Sequence, residues 1–297
     1  MSFADQLPRR LEKLLRDSTT LSRRELREAA ESGRVHVEVD GACVPPELDR
    51  LVFGDERVCL DGEPLTSRPV RTVLFHKAAG VTATLADTLG RDDLSGPLRT
   101  MPAGCAPVGR LDRATTGALL FTSDGDLLNA ILRPKHHVPK VYRLRLSEAV
   151  AEGDPRLQLL LDGVPTELGP LRADAVRVGE VRPGTSVHRG PPDRGETELW
   201  LTLHEGKNRQ IRRMCRRAKL RLEHLHRASV GPIALGDLSE GQWRELDDTE
   251  VDQLWTAIGG RAVVDAQRRA ALGRQARGAR DEGTPHHKLE RWLTATG

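Results

Sequence analysis

At 297 residues the chain is long enough for a large domain with a smaller companion, and a net charge of +3 is too modest to argue for nucleic acid by itself. Its four cysteines, Cys43, Cys59, Cys105 and Cys215, are scattered without a C-x-x-C pair, which speaks against a disulfide framework and fits a reduced cytoplasm. No apolar run approaches the length of a membrane span and no N-terminal stretch has the layout of a signal peptide, so a cytoplasmic protein is expected. Aromatic residues are scarce, with a single tyrosine, and the core must be built mainly from Leu, Val and Ala.

The first seventy or so residues read as one small unit. Leu7, Leu11, Leu14 and Leu15 share a face of a short helix whose other side carries Arg9, Arg10, Lys13 and Arg16. A second helix starts at a capping box, with Ser22 as N-cap, Glu25 reaching back to it and Leu21 and Leu26 set as a hydrophobic staple; Gly33 stops it. Val35, Val37 and Val39 alternate as a half-buried strand, and a second strand is expected at Arg57 to Leu60. A run such as Arg23, Arg24, Arg27 and Arg34 is a solvated helix face or a phosphate-binding one; composition alone leaves both open.

A loose connector follows from about Pro64 to Gly104, broken by a short apolar strand at Val73 to Phe75 and by the turn His76-Lys77-Ala78-Ala79-Gly80. Then comes Gly109-Arg110-Leu111-Asp112-Arg113-Ala114-Thr115-Thr116-Gly117. Prolines and glycines crowd its approach and the apolar run Ala118 to Phe121 leaves it, so Asp112 is expected on a loop entering a buried strand, where a rigid scaffold can aim a reactive carboxylate. Ser123 or Asp124 caps the short helix implied by Leu127, Leu128, Ile131 and Leu132, and Pro134 ends it.

Alternation in the next strand puts Tyr142, Leu144 and Leu146 on one face and Arg143 and Arg145 on the other. The lone tyrosine can pad the core or stack on an unstacked base beside cations such as Lys140. His136 and His137 are adjacent, point apart and have no ligand partner at a useful spacing, so no metal is expected. Gly179 to Glu196, rich in Pro and Gly, reads as a flexible surface insertion.

The third basic element runs from Glu205 to Ala218. Ile211, Met214, Cys215 and Ala218 form the buried stripe of a helix that Asn208 can cap, and arginines cover the remaining circumference. Such a helix repels itself, which makes a polyanionic partner plausible. Strands are expected on either side of it, from Glu198 to His204 and from Arg221 to Val230, the second with His224 and His226 on one face. Beyond about Ile258 the chain is rich in Arg, Ala and Gly, open to disorder, to an added RNA-binding arm, or to an inert tail.

Three blocks carry a resemblance. The first helices and strands, "LSRRELREAAESGRVHV" and "GDERVCLDGEPL", resemble the S-four-type RNA-binding domain, in which two arginine-bearing helices face RNA. The blocks "PVGRLDRATTGALLFTSDGDLLNAILRPKHHVPKVYRL" and "EGKNRQIRRMCRRAKLRLEHLHRASVGPIALGDLSEGQWREL" resemble the Rsu-type pseudouridine synthases. The resemblance covers most of residues 8 to 250. It implies an α+β protein with a small RNA-binding domain at 1–68, a mixed, mainly antiparallel sheet catalytic domain at 69–257 and a basic tail at 258–297. It also implies Asp112 as the catalytic aspartate, Tyr142 against the target uracil, and Arg212 as the basic partner of the aspartate. RNA contacts are expected from Arg9, Arg10, Arg23, Arg24, Arg34, Lys77, Arg110, Lys140, Lys207, Asn208, Arg209, Gln210 and Arg213. One departure is His76-Lys77-Ala78-Ala79-Gly80, which stands where relatives usually have N-K-P-x-G.

The implied chemistry breaks the bond between ribose and base nitrogen, turns the base and rejoins it through carbon five, so it needs no cofactor. The carboxylate must be ionised, which a neighbouring arginine favours, and the target must leave its stack. A monomer acting on ribosomal RNA is the expected biological form, with the large subunit slightly favoured over the small and tRNA as a further substrate. A non-catalytic RNA-binding or ribosome-assembly protein is the rival, but it has no use for Asp112, Tyr142 and Arg212 together. RNA methyltransferases and tyrosyl-tRNA synthetases share the N-terminal module but need nucleotide-binding signatures; neither G-x-G-x-x-G nor G-x-x-x-x-G-K-[ST] occurs here.

Overall fold

The computed structural model describes residues 8–66, 68–85, 87, 89–182 and 195–281, with side chains to Leu272. The chain forms two compact units, one of residues 1–70 together with 259–297 and one of Arg71–Ile258.

In the smaller unit β1 (Arg9–Arg10) pairs with β4 (Leu51–Val52), and α1 (Leu11–Ser18) and α2 (Arg23–Glu31) follow β1. Strands β2 (Val35–Val39), β3 (Ala42–Val44), β5 (Arg57–Leu60) and β6 (Glu63–Pro64) make an antiparallel sheet in the order β3-β2-β5-β6. The Ser22 capping box forms as its spacing requires: the Ser22 hydroxyl accepts from the Glu25 amide and the Glu25 carboxylate accepts from the Ser22 amide at 2.7 Å. Leu11, Leu15, Leu26, Ala29, Val35, Val37, Val52 and Val58 bury together as this unit's core. Helix α1 begins at Leu11, so Arg9 and Arg10 belong to a strand and not to the helix; Leu7 lies outside the described residues.

In the larger unit β7 (Thr72–Lys77) is buried along its whole length. It is followed by α3 (Ser95–Leu98), β8 (Ala106–Pro107), β9 (Thr116–Thr122), α4 (Gly125–Leu132), β10 (Lys140–Leu146), α5 (Pro155–Asp162), β11 (Val164–Thr166), β12 (Gly169–Leu171) and β13 (Ala175–Arg182). Then come β14 (Glu196–Leu203), α6 (Gln210–Arg217), β15 (Leu222–Val230), β16 (Ile233–Ala234), β17 (Trp243–Glu245) and α7 (Asp248–Ala257). A nine-stranded sheet runs β13-β14-β10-β15-β9-β7-β17, with β16 on β15 and β8 on β9. All of its pairings are antiparallel except β9 against β15, where His226 faces Thr116 and Arg227 faces Gly117. This is the α+β architecture, mixed and mainly antiparallel, that the sequence blocks imply.

Alternation along β10 holds: Tyr142, Leu144 and Leu146 are buried and Arg143 and Arg145 exposed. Their buried face joins Leu199, Leu201 and Leu203 of β14 and the Ile211, Met214 and Cys215 stripe of α6 in one core. Asp124, not Ser123, caps α4, accepting from the amides of Asp126 and Leu127. Of the expected Gly179 to Glu196 insertion, Gly179–Arg182 closes β13 and Glu196 opens β14; residues 183–194 lie outside the described residues. The chain past Ile258 forms α8 (Arg261–Asp281), with Val264 and Leu272 buried and the Arg268 guanidinium donating to the Pro8 carbonyl at 2.8 Å. No described helix is long and apolar enough to cross a membrane.

Candidate active site

The loop carrying Asp112 is fixed from three sides. Gly109, at φ +81°, makes the sharp bend that glycine alone takes without strain, and the Val108 amide holds the approach to β9 by donating to the Leu120 carbonyl at 2.7 Å. Leu111 is buried and anchors the loop into the core beside Asp112. From β7, the Lys77 ammonium donates to the carbonyls of Ala78 (2.8 Å), Arg113 (3.3 Å) and Thr115 (2.9 Å). The Gly80 amide donates to the Arg113 carbonyl, and the Arg113 Nε returns a bond to the Gly80 carbonyl at 2.8 Å.

The third side is α6. Arg212 donates from Nη2 to the Ala114 carbonyl at 2.9 Å and to the Thr115 hydroxyl at 3.2 Å. Its Nε is buried, makes no hydrogen bond and lies 3.7 Å from Oδ2 of Asp112. The guanidinium therefore orients the loop and presents a positive charge to the carboxylate at once, which a point-charge lysine could not do.

Asp112 and Arg212 line a cleft of about 390 Å3 together with Tyr142 and Thr115, the cations Arg110, Arg133, Lys140, Lys207 and Arg209, and Arg227. Seven basic side chains face it against two carboxylates, Asp112 and Glu205, a balance that suits a polyanionic strand. Tyr142 is 8% exposed, belongs to the core cluster and lines the cleft. Lys140 donates to the Val138 carbonyl, and burial, aided by the charge of Arg227, holds its ammonium below the ordinary lysine range.

Several of the residues expected to touch RNA are engaged by the protein itself. Lys77 is fully buried and bonded to three carbonyls, so it holds the loop from beneath; burial pulls it down to about 8, against the opposing pull of Asp112 and Glu240. Gln210 is 3% exposed, accepts from the Lys207 amide and donates to Glu205, which makes it a brace of the turn before α6. Asn208 does not cap α6. Arg209 stands at that position in the left-handed conformation (φ +50°) without a side-chain cap bond, and Asn208 instead accepts from Arg213. Arg213 also pairs with Glu167, so its guanidinium ties α6 to the β11–β12 hairpin and lies outside the cleft.

In the smaller unit Arg9 pairs with Asp17, Arg23 with Glu12, Arg24 with Glu28 and Arg34 with Asp61, while Arg10 is exposed. The Arg34–Asp61 pair is two-pronged, 2.6 Å on each arm, which raises the arginine and holds the aspartate below the usual carboxylate range.

Sequence reasoning missed Arg227. It lies 4% exposed on β15, opposite both Tyr142 and Gly117, its Nε donates to the Ala118 carbonyl at 2.7 Å, and its Nη2 is buried without a partner on the cleft wall. The signal was present: if His224 and His226 share one face of β15, Leu225 and Arg227 share the other. His204 was also missed. Its ring sits at the cleft rim, its Nδ1 3.0 Å from Asp174 and its edge against His137.

The cleft thus sets a carboxylate beside a guanidinium, with a tyrosine on a basic wall suited to a polyanion. Comparison with known proteins gives the class. The RNA pseudouridylate synthase family matches residues 71–217. A protein of Aquifex aeolicus named as an uncharacterized RNA pseudouridine synthase is 32% identical over 256 residues, 84% of this chain and 95% of the relative. The ribosomal large subunit pseudouridine synthase B of Bacillus subtilis is 30% identical over 82% of this chain and 95% of its own. A crystal structure of a pseudouridylate synthase superposes with a TM-score of 0.52 at 23% identity, covering 82% of this chain and 99% of that one, a likeness of fold. The chain belongs to the RNA pseudouridine synthases, enzymes that isomerise uridine within RNA.

Proposed function

We propose that Asp112 is the carboxylate that acts at the ribose of a uridine turned out of its stack, with Arg212 holding it in place and Tyr142 against the uracil ring. The observation that carries this reading is the 3.7 Å approach of Arg212 to Asp112 inside a basic cleft bordered by Tyr142. Attack on the sugar and proton removal through a glycal make the same demand on Asp112: an aimed carboxylate on a rigid loop. Lys77, through the carbonyls of Arg113 and Thr115, and Arg212, through Ala114 and Thr115, supply that rigidity. Arg110, Lys140, Lys207 and Arg209 line the path of the phosphates, and the charge of Arg227 closes the wall behind Tyr142.

The substrate of this reading is ribosomal RNA, with the large subunit favoured. Its support is the relation to the Bacillus subtilis enzyme named for that subunit, and an N-terminal unit whose helices resemble an rRNA-binding module. The test is carbodiimide mapping of pseudouridine in total rRNA and tRNA from a strain lacking this gene, complemented with the wild type or with Asp112→Asn. One large-subunit uridine should lose its mark and regain it with the wild type only. A mark lost from tRNA instead would overturn the substrate, and an unchanged map would favour a binding protein on the same fold.

A further inference from the structure

A uridine inside folded RNA reaches Asp112 only after leaving its stack, and the bases on either side then close over the gap unless something stands in it. One exposed apolar side chain is placed for that task. Leu132 is the last residue of α4 and 45% exposed; of the large hydrophobic residues exposed to that degree among those described, it alone lines the Asp112 cleft. Its position is rigid. Asp124 caps the start of α4, Ile131 beside it is buried, and Pro134 follows two residues on. Its Cδ2 lies 3.1 Å from where a Cβ on Gly109 would sit, so the leucine rests on the bend that leads into Asp112.

The surroundings give the leucine its partner. Exposed Arg110 and Arg133 both line the same cleft. An apolar tip sharing a cleft with two cations fits a nucleic acid strand, the cations meeting phosphates and the tip meeting a base face.

We propose that Leu132 is an apolar wedge that packs against the base next to the target uridine and holds the gap open while the uridine occupies the cleft. This rests on the reading of the cleft as the pseudouridine site. The wedge acts on the extruded state and contributes little to initial binding, which the cations dominate.

The test uses the full chain and total rRNA from a strain lacking the gene, labelled with tritium at carbon five of uridine and folded in magnesium. Forming the new carbon–carbon bond at carbon five displaces the hydrogen there, so tritium release reports turnover. Leu132→Ala should lower kcat by about tenfold while filter-binding affinity stays within about twofold, and Leu132→Met should restore most of the rate, because methionine fills the same apolar volume. An alanine variant at wild-type rate overturns the wedge. So does a loss that methionine fails to rescue, or one that comes with a lower melting temperature, since the leucine would then serve only to support the Gly109 bend. A wild type that releases no tritium overturns the reading of the site itself, and the wedge with it.

Discussion

Lys77 and Arg212 reach the Asp112 loop from opposite elements, and each uses its charge differently. The lysine lies beneath the loop with three carbonyls as acceptors; the arginine lies beside the carboxylate with one buried nitrogen left for it. Burial lowers Lys77 from 10.5 to about 8, so the folded protein gives up this proton at lower pH than the unfolded chain does. The sign follows: the lysine's contribution to stability is largest above the unfolded value, and is lost as pH falls through about 8 and a buried amine must be charged. For catalysis the charged form is the one with three donors. The wild-type kcat is therefore expected to decline above about pH 8, and Lys77→Met should lower kcat on the order of tenfold, leave RNA binding unchanged and remove that alkaline limb. A pH profile of turnover for both proteins checks it. The same two residues mark what could be read in the sequence. Arg212 was legible through the resemblance of its block to the Rsu-type family; the apolar stripe placed it on a helix but named no partner. Lys77 was expected among the RNA contacts, and only the surrounding strands show that β7 is buried to its last residue.

At the scale of elements, the parallel crossing of β9 and β15 does most to build the site. It sets Gly117 opposite Arg227, one strand carrying the chain away from Asp112 and the other carrying the buried guanidinium behind Tyr142. Gly117 has φ +110°, and a Cβ there would collide with the Arg227 carbonyl oxygen and lie 2.6 Å from its nitrogen. Gly117→Ala should therefore destabilise the protein by about 3 kcal/mol or more, seen as a fall in denaturation midpoint, whereas Gly206→Ala, with open space around it, should be nearly silent. The local elements were legible because their signals are local: the capping box at Ser22, the alternation at Tyr142 and the apolar stripe of α6 each fall within a few residues. The crossing was not, since it pairs residues 110 positions apart and no sequence period reports it. The cap of α6 failed for a related reason. Asn208 has the right chemistry, but Arg209 takes the left-handed position because Gln210, Glu205 and the Lys207 amide lock the turn one residue later.

Across the whole molecule the larger unit holds the cleft and the smaller one takes residues 1–70 together with 259–297, the Arg268 guanidinium of α8 donating to the Pro8 carbonyl. Composition could not foresee that return, because the segment shows too few apolar residues to declare a packed face. The cysteines separate cleanly. Burial pushes the Cys105 thiol up to about 11 and the Cys215 thiol up to about 12, while Cys43 is exposed. Alkylation of the native protein at pH 8 should label Cys43 and spare Cys105 and Cys215, as peptide mapping would read. The central claim is that Asp112 performs the chemistry and the cations hold the RNA. The most direct measurement compares Asp112→Asn with the wild type for tritium release from carbon-five-labelled rRNA and for binding of the same RNA. Turnover lost with binding kept is the predicted result; turnover retained by the asparagine variant would contradict the account.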